Sequence, residues 1–449
     1  MPLTIKKDFL PLFLGDIVIF AVSLYLALFL RYLELPDRNL FLSHLLPFGI
    51  LSALWVFVFF IAGLYEKHTL LLKGKLPQTL FNAQVVNAFV AVIFFYLIPQ
   101  FGIEPKTNLF IYLVLTSALT FVWRLYGFWH LVGTVKQKAM LIGSGDEVLE
   151  IKNEVNNNPR YALNFISTVN LDHVGDLEIK EEIINRVYSE NVTIIVVDFD
   201  NKKLESIITH LYSLLFTKVR FVDMHNLYED IFDRVPISLL RHSWFLENIS
   251  LAPKNAYESF KRAMDIFISG ILGICSLVLY PFVYLVIKLD DGGSVFFIQE
   301  RVGRNNHPIH IRKFRTMKEI GNVDVINDKA DRVTKIGKFL RKSRIDELPQ
   351  LWNVLKGDLS LIGPRPELPQ LVKIYDEEIP FYNIRHLITP GISGWAQLYH
   401  ENHPHHGSAT IQTKEKLSYD FYYIKNRSAM LDLKIALKTI KALLSRSGA

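Results

Sequence analysis

Asp346 and Glu347 are the residues from which chemistry could start. They are adjacent carboxylates in the stretch RKSRIDELPQLWNVLKGDLSLIGPRP, which runs from Arg341 to Pro366. Arg341, Lys342 and Arg344 come just before them, and Arg365 follows between two prolines. An acid pair, a basic flank and a rigid Pro-Arg-Pro form a set that could hold phosphate together with a divalent cation. Leu348, Leu351, Trp352 and Leu355 recur at helical spacing, Pro349 suits only a first turn, and Lys356-Gly357 makes a basic last turn with a glycine stop. A helix is therefore expected to start near Asp346 and Glu347, with both carboxylates at its positive end. A capped surface helix with a solvated charge run would show the same pattern, and the stretch alone does not separate the two.

Three other groups invite chemistry. Gly143-Ser144-Gly145 follows the apolar run Ala139–Ile142 and could cradle a pyrophosphate. Val148 holds the place of the third glycine, however, so a ligand-free structural or dimerising module is the competing reading. His400, His403, His405 and His406 have spacings that could bind a transition metal, and a flexible polar loop would look the same. Asp16 sits within an apolar run, where it is expensive in lipid and should face a partner helix.

The elements that would position these groups are unevenly distributed along the 449 residues, which leave room for two or three domains. Four apolar segments come first: Phe9–Leu30, Leu45–Leu64, Val85–Ile98 with its flanks, and Leu109–Phe128. Each is about long enough to cross a hydrocarbon core of ~30 Å. The first lacks a small-residue cleavage site and is too long for a cleavable signal peptide. Lys6, Lys7, Lys67, Lys73, Lys75, Arg124, Lys136 and Lys138 flank one side, against Arg31, Arg38 and Lys106 on the other. That asymmetry puts the N-terminus and everything after residue 130 in the cytoplasm. Residues 133–235 alternate strand and helix patterns, with Val192–Val197 and Val219–Val222 as further strands, so a doubly wound, Rossmann-like α/β domain is expected there. Residues 236–258 read as a connector.

Lys261, Arg262 and Asp265 then open an apolar run to Ile287 that is interrupted at Tyr280-Pro281. Basic flanks at both ends and the missing proline N–H argue for a re-entrant helix over about 262–288, against a proline-kinked span. Leu431–Arg446 is a basic amphipathic helix that suits either an anionic membrane surface or a core. The lone Cys275 rules out an internal disulfide framework and a Cys-rich zinc site. A net charge of +6 with no aromatic-basic recognition motif leaves no case for nucleic acid.

From Lys261 to residue 444 the chain resembles the bacterial sugar transferase family, the polyprenyl-phosphate hexose-1-phosphate transferases. The resemblance rests on KRAMDI, the proline-broken helix, FFIQERVGRNN, IRKFRTM, RVTKIGKFLRKSRIDELPQLWNVLKGDLSLIGPRPE, PGISGWAQ and YDFYYIKNRS, in order. The four spans and the α/β part look like its large polytopic members. The resemblance implies transfer of a sugar 1-phosphate from a UDP-sugar to undecaprenyl phosphate, release of UMP, and a need for Mg²⁺. It implies Asp346 as the nucleophile that forms a phosphosugar-aspartate, and Glu347 as its partner at the metal. Lys313 and Arg365 would meet phosphate charge and Asp420 the metal-nucleotide site, with Arg315, Arg341 and Arg344 as further candidates. Lys261, Arg262 and Asp265 would lie at the membrane interface, where the cations could attract the lipid phosphate. Pro281 matches the family's helix-breaking proline, although Tyr280 replaces the serine often found before it.

Residues 259–449 would thus be a mixed α/β catalytic domain behind a four-span membrane domain over 1–132. Its place would be the cytoplasmic face of a bacterial inner membrane, in a homodimer that starts exopolysaccharide or O-antigen assembly. Two other readings stay open: a membrane-attached nucleotide-sugar oxidoreductase built on the Gly143–Gly145 turn, and a non-catalytic sensor or scaffold. No motif reads the sugar.

Overall fold

The computed structural model describes residues 9–65, 76–97, 105–127, 136–158, 161, 163–171, 176–205, 208–217, 219–249, 255–290, 292–318, 333–399 and 410–445. The histidine-rich stretch with His400, His403, His405 and His406 lies outside them, as do Lys6, Lys7, Lys67, Lys73 and Lys75. The chain divides into two compact units, Met1–Ile231 and Phe232–Ala449.

Four helices open the first unit: α1 (Phe9–Tyr32), α2 (Arg38–Ile61), α3 (Leu76–Leu97) and α4 (Pro105–Val122). All four are long and apolar enough to cross a membrane. Their cores meet through Leu12, Leu28, Phe48, Trp55, Phe59, Leu80 and Tyr112, while Val18, Phe89, Phe110 and other apolar side chains face outward. α3 starts nine residues earlier than the apolar run suggests. Its polar residues are used inside the bundle: Asn87 Nδ2 donates to Gln84 Oε1 at 3.4 Å, and Trp55 Nε1 donates to the Asn87 carbonyl at 3.0 Å. Asp16 meets its expected partner. It is ion-paired with Arg124 and accepts a hydrogen bond from Tyr65 at 2.7 Å. Arg124 is therefore a buried bundle residue, not one of the flanking cations, and the charge asymmetry becomes seven against three without changing sign.

The rest of this unit holds β1 (Gln137–Gly143), β2 (Leu163–Asn170), β3 (Ile194–Val197) and β4 (Arg220–Asp223), all parallel in the order β2-β1-β3-β4. β2 escapes the sequence pattern because its residues alternate buried and half-buried, so no continuous apolar run marks it. α5 (Asp146–Asn157) follows the Gly143–Gly145 turn. The turn is occupied by protein: a side chain at Gly143 would meet Met224 Sδ at 2.9 Å, and Asn201 Nδ2 donates to the Ser144 hydroxyl at 2.7 Å. Asp146 and Glu147 in the first turn of α5 also oppose a bound phosphate.

The second unit begins with residues read above as a connector. They are part of its core: Leu240, Trp244 and Phe245 are buried with Tyr382, Trp395, Phe421 and Ile435. α6 (Asn255–Leu277) and α7 (Tyr280–Asp290) follow, bent by 55° where Pro281 cannot continue the ladder. Phe260, Phe267, Ile274, Val278, Phe282 and Leu285 are exposed along this pair. β5 (Phe296–Val302) and β6 (Pro308–Phe314) form an antiparallel hairpin that sets Phe297 opposite Lys313. β7 (Ser360–Ile362) and β8 (Gly391–Ser393) are a short parallel pair. α8 (Gln350–Lys356) lies against α6 and β6, and α9 (Ala429–Ser445) closes the chain.

In α9, Ile435 and Leu437 are buried, whereas Leu433 and Ile440 are exposed. Lys434 and Lys438 lie over the Trp395 ring at 4.8 and 5.8 Å. One side of the helix thus packs into the core, with Lys434 and Lys438 over an aromatic ring, while Met430, Leu433, Ile440 and Leu443 stay exposed.

Candidate active site

Asp346 and Glu347 lie ahead of α8, in the 3₁₀ turn Ile345–Glu347, and not in its first turn as expected. The reason is Pro349. An α-helix through the pair would need its N–H to bond to the Ile345 carbonyl, and proline has none. Leu348 N takes that carbonyl instead, at 3.1 Å, which tightens the turn. Arg344 just before the pair is left-handed (φ 56°), a strained conformation for a side chain of that size. It reverses the chain after the helix Lys335–Lys342, so the carboxylates project back toward β6.

The buried face of α8 also differs from the predicted stripe. Gln350, Leu351, Asn353 and Val354 are inside, while Trp352 is exposed. Asn353 faces inward because it joins the strand, Nδ2 donating to the His310 carbonyl at 2.8 Å and Oδ1 accepting from Arg312 N at 3.3 Å. Trp352 Nε1 donates to the Tyr280 hydroxyl at 3.2 Å, tying α8 to the break between α6 and α7. Gly357 (φ 99°) ends the helix as predicted.

Glu347 is the hub of the site. Its Oε1 lies 3.0 Å from Lys313 Nζ, 3.6 Å from Arg365 NH2 and 3.8 Å from Arg344 NH1. Burial pushes its pKa up, but Arg365, Lys313 and Arg344 outweigh that and bring it down to about 2. Asp346 goes the other way. Burial and the Glu347 charge push it up to about 6, against the pull of Lys313, Arg341 and Arg344. Its Oδ1 is buried and accepts no hydrogen bond among the described residues. Two neighbouring carboxylates are thereby set apart: one is clamped by cations that favour its charged form, the other is more basic and has a buried oxygen with no hydrogen bond among the described residues. Burial, with Arg365 nearby, lowers the Lys313 pKa, and Glu347 holds it back up.

The Pro-Arg-Pro segment reaches Glu347 because two loops meet backbone to backbone. Gly363 N donates to the Ser393 carbonyl at 2.8 Å, and Gly391 N to the Pro364 carbonyl at 2.9 Å. A side chain at Gly391 would lie 2.1 Å from Gly363 N, so only glycine permits this approach. Behind Arg365 sits a buried charge network of which sequence reasoning singled out only Asp420. Arg385 NH2 donates to the Arg365 carbonyl at 2.9 Å and meets Asp420 at 2.8 Å, and Glu367 pairs with Lys416. Glu367 ends the GPRPE motif and could have been noticed; Arg385 lies between motifs and carried no signal.

The other expected residues divide. Arg344 and Arg365 join Lys313 at Glu347, and Arg341 acts on Asp346 through charge while its Nε bonds the Thr316 hydroxyl at 2.9 Å. Arg315 is buried, with its guanidinium packed against Gly293. Asp420 is buried and ion-paired with Arg385. Of the two cations expected at the lipid head, one is paired with a carboxylate and the other bonds only neutral carbonyls. Lys261 pairs with Asp432 at 3.0 Å, and Arg262 donates to the Val354 and Leu355 carbonyls at 2.6 and 2.8 Å. Asp265 accepts from Leu361 N at 3.1 Å.

The profile of the bacterial sugar transferase family matches residues 256–446. The chain is 46% identical over 203 residues to the UDP-N-acetylgalactosamine-undecaprenyl-phosphate N-acetylgalactosaminephosphotransferase of Aeromonas hydrophila, covering 44% of this chain and 47% of that protein. It is 30% identical over 371 residues to the undecaprenyl-phosphate glucose phosphotransferase of Komagataeibacter xylinus, covering 76% and 66%. An uncharacterised sugar transferase of Haemophilus influenzae is 30% identical over 354 residues, covering 71% of each chain. The chain belongs to the bacterial sugar transferase family. The matched region spans about half of the Aeromonas protein and just under two thirds of the Komagataeibacter one.

Proposed function

We propose that the chain transfers a sugar 1-phosphate from a UDP-sugar to undecaprenyl phosphate and releases UMP. The observation that carries this reading is the basic Asp346, whose buried Oδ1 accepts no hydrogen bond among the described residues, beside a Glu347 held by three cations. An Asp346 carboxylate oxygen attacks the phosphorus that bears the sugar. The bridging P–O bond breaks, UMP departs with that oxygen, and a phosphosugar-aspartate remains. An oxygen of the lipid phosphate then attacks the same phosphorus, returning the carboxylate and forming the lipid diphosphate sugar. Lys313, Arg344 and Arg365 carry the donor's negative charge while Asp346 approaches. With a pKa of about 6, Asp346 is mostly ionised at neutral pH yet more basic than an ordinary aspartate.

The residues also fit Mg²⁺. The free Asp346 oxygen and Glu347 are the one or two carboxylates such a site uses, with water and phosphate oxygens completing it. Bound there, the ion would neutralise diphosphate charge.

The exposed apolar surface and 55° bend of α6–α7 support a re-entrant hairpin that dips into the inner leaflet and brings the pair to the lipid phosphate. The same reading puts the catalytic unit on the cytoplasmic face of the inner membrane, early in exopolysaccharide or O-antigen assembly, and treats 133–235 as a Rossmann-like domain in a homodimer. Asp346→Asn is expected to abolish both transfer and a radiolabelled phosphosugar adduct. Full turnover by that variant would end the assignment. UMP release measured across a panel of UDP-sugars identifies the donor.

A further inference from the structure

At the opposite end of α8 from the carboxylate pair, Gly357 borders a half-open cavity of about 630 Å³. Lys261, Arg262, Arg304 and Arg427 line it with only two carboxylates, Glu258 and Asp265. Two of the cations are spoken for: Lys261 by Asp432 at 3.0 Å, and Arg427 by Glu258 at 3.3 Å. The other two keep their charge. Arg262 gives its hydrogen bonds to carbonyls at the end of α8, which covers oxygens that would repel an anion without neutralising the guanidinium. Arg304 is exposed and has no carboxylate partner among the described residues. Asp265 is drawn away by its bond from Leu361 N. The cavity also sits at the foot of the apolar hairpin, since Lys261 and Arg262 share α6 with the exposed Phe260, Met264 and Phe267.

From this placement we infer that the cavity is a second anion site, separate from the transfer centre, which takes a phosphate group through Arg304 and Arg262. The phosphate is carried either by an anionic phospholipid at the membrane surface or by a free ion. The first source would use the adjoining apolar helix face, and the second would not. A lipid held there would fix the height of the hairpin in the bilayer.

The test uses the full chain in neutral detergent and measures binding, not transfer, so its outcome is independent of the proposed reaction. Phosphatidylglycerol, phosphatidylcholine and inorganic phosphate are titrated at matched ionic strength, with uptake read by native mass spectrometry and by thermal unfolding. Arg304→Ala should weaken phosphatidylglycerol binding roughly fivefold, and Arg304→Glu more, as expected for one cation at a lipid phosphate. Lys373→Glu, an exposed lysine outside the cavity, changes the net charge equally with Arg304→Glu and should leave binding within about twofold. Competition by inorganic phosphate identifies a site that also accepts the free ion; retention of phosphatidylglycerol against phosphate identifies a lipid site. The inference is overturned if phosphatidylglycerol binds no better than phosphatidylcholine and phosphate does not bind, or if both Arg304 variants, with unchanged unfolding in phosphatidylcholine, behave like Lys373→Glu.

Discussion

Removing the Asp420 carboxylate separates a positioning role from a direct one. Asp420 and Arg385 are both about 2% exposed in their side chains and lie 2.8 Å apart. Asp420→Ala strands a buried guanidinium, which typically costs about 3–5 kcal/mol. Part of the loss is offset here: Arg385 keeps the Tyr382 hydroxyl at 2.7 Å, the Arg365 carbonyl at 2.9 Å and Glu367 at 3.9 Å. The lower end, about 3 kcal/mol, is therefore expected. In a unit of this size that lowers the unfolding midpoint by roughly 6–12 °C. Asp420→Asn keeps one acceptor and should lose about half as much. Thermal unfolding of the full chain at one fixed scan rate reads the first effect. Adduct formation per folded molecule, well below both midpoints, reads the second. Because Arg385 holds the Arg365 carbonyl, the surviving enzyme should show a raised KM for the donor with a smaller change in kcat. If Asp420→Ala unfolds with the parent yet forms no adduct, the carboxylate touches metal or nucleotide itself, and its role as a support for Arg365 is wrong.

Four further substitutions probe other parts of the site. Lys313→Met removes the nearest cation from Glu347, and a loss of 10²-fold or more in kcat is expected for one charge-stabilising donor, with the fold intact by circular dichroism; a change under threefold would refute its role. Tyr280→Phe deletes the hydroxyl that accepts from Trp352 while keeping the ring against Phe314 (4.9 Å between centroids), so transfer should fall only severalfold, about 0.5–1.5 kcal/mol. Trp352→Phe should produce the same fall and the double variant no more, whereas additive losses would show that the bond does not link the two helices. Gly391→Ala forces apart the β7–β8 backbones and should destabilise the unit by several kcal/mol, as overpacking at backbone cannot relax by rotamer change; an unfolding midpoint within about 2 °C of the parent would contradict the contact.

Features with a regular period or a chemical oddity could be read before any coordinates. The four long apolar helices announce themselves by apolar runs, and Asp16 by its expected cost in lipid, which the structure answers with Arg124 and Tyr65. Pro281 marks the bend between α6 and α7, and Gly357 the end of α8. What failed did so where tertiary contacts override local pattern. β2 alternates in burial and has no apolar run, and residues 236–258 lack periodicity although Trp244 and Phe245 join the core. The stripe through Leu348, Leu351, Trp352 and Leu355 is genuine in spacing, yet α8 is rotated because Asn353 bonds β6 while Trp352 is drawn to Tyr280.

The division of labour between Asp346 and Glu347 is a different kind of information. Adjacent carboxylates are chemically equivalent in a sequence, and nothing in their spacing says which keeps its proton longer. The difference comes from the three cations that converge on Glu347 from β6, from the left-handed Arg344 and from the Pro-Arg-Pro loop. That convergence depends in turn on two glycines, on a proline that cannot donate, and on Arg385, a residue in no motif, which bonds the carbonyl of Arg365. The motifs therefore mark where the charges are, whereas the buried supports between motifs decide what each charge can do.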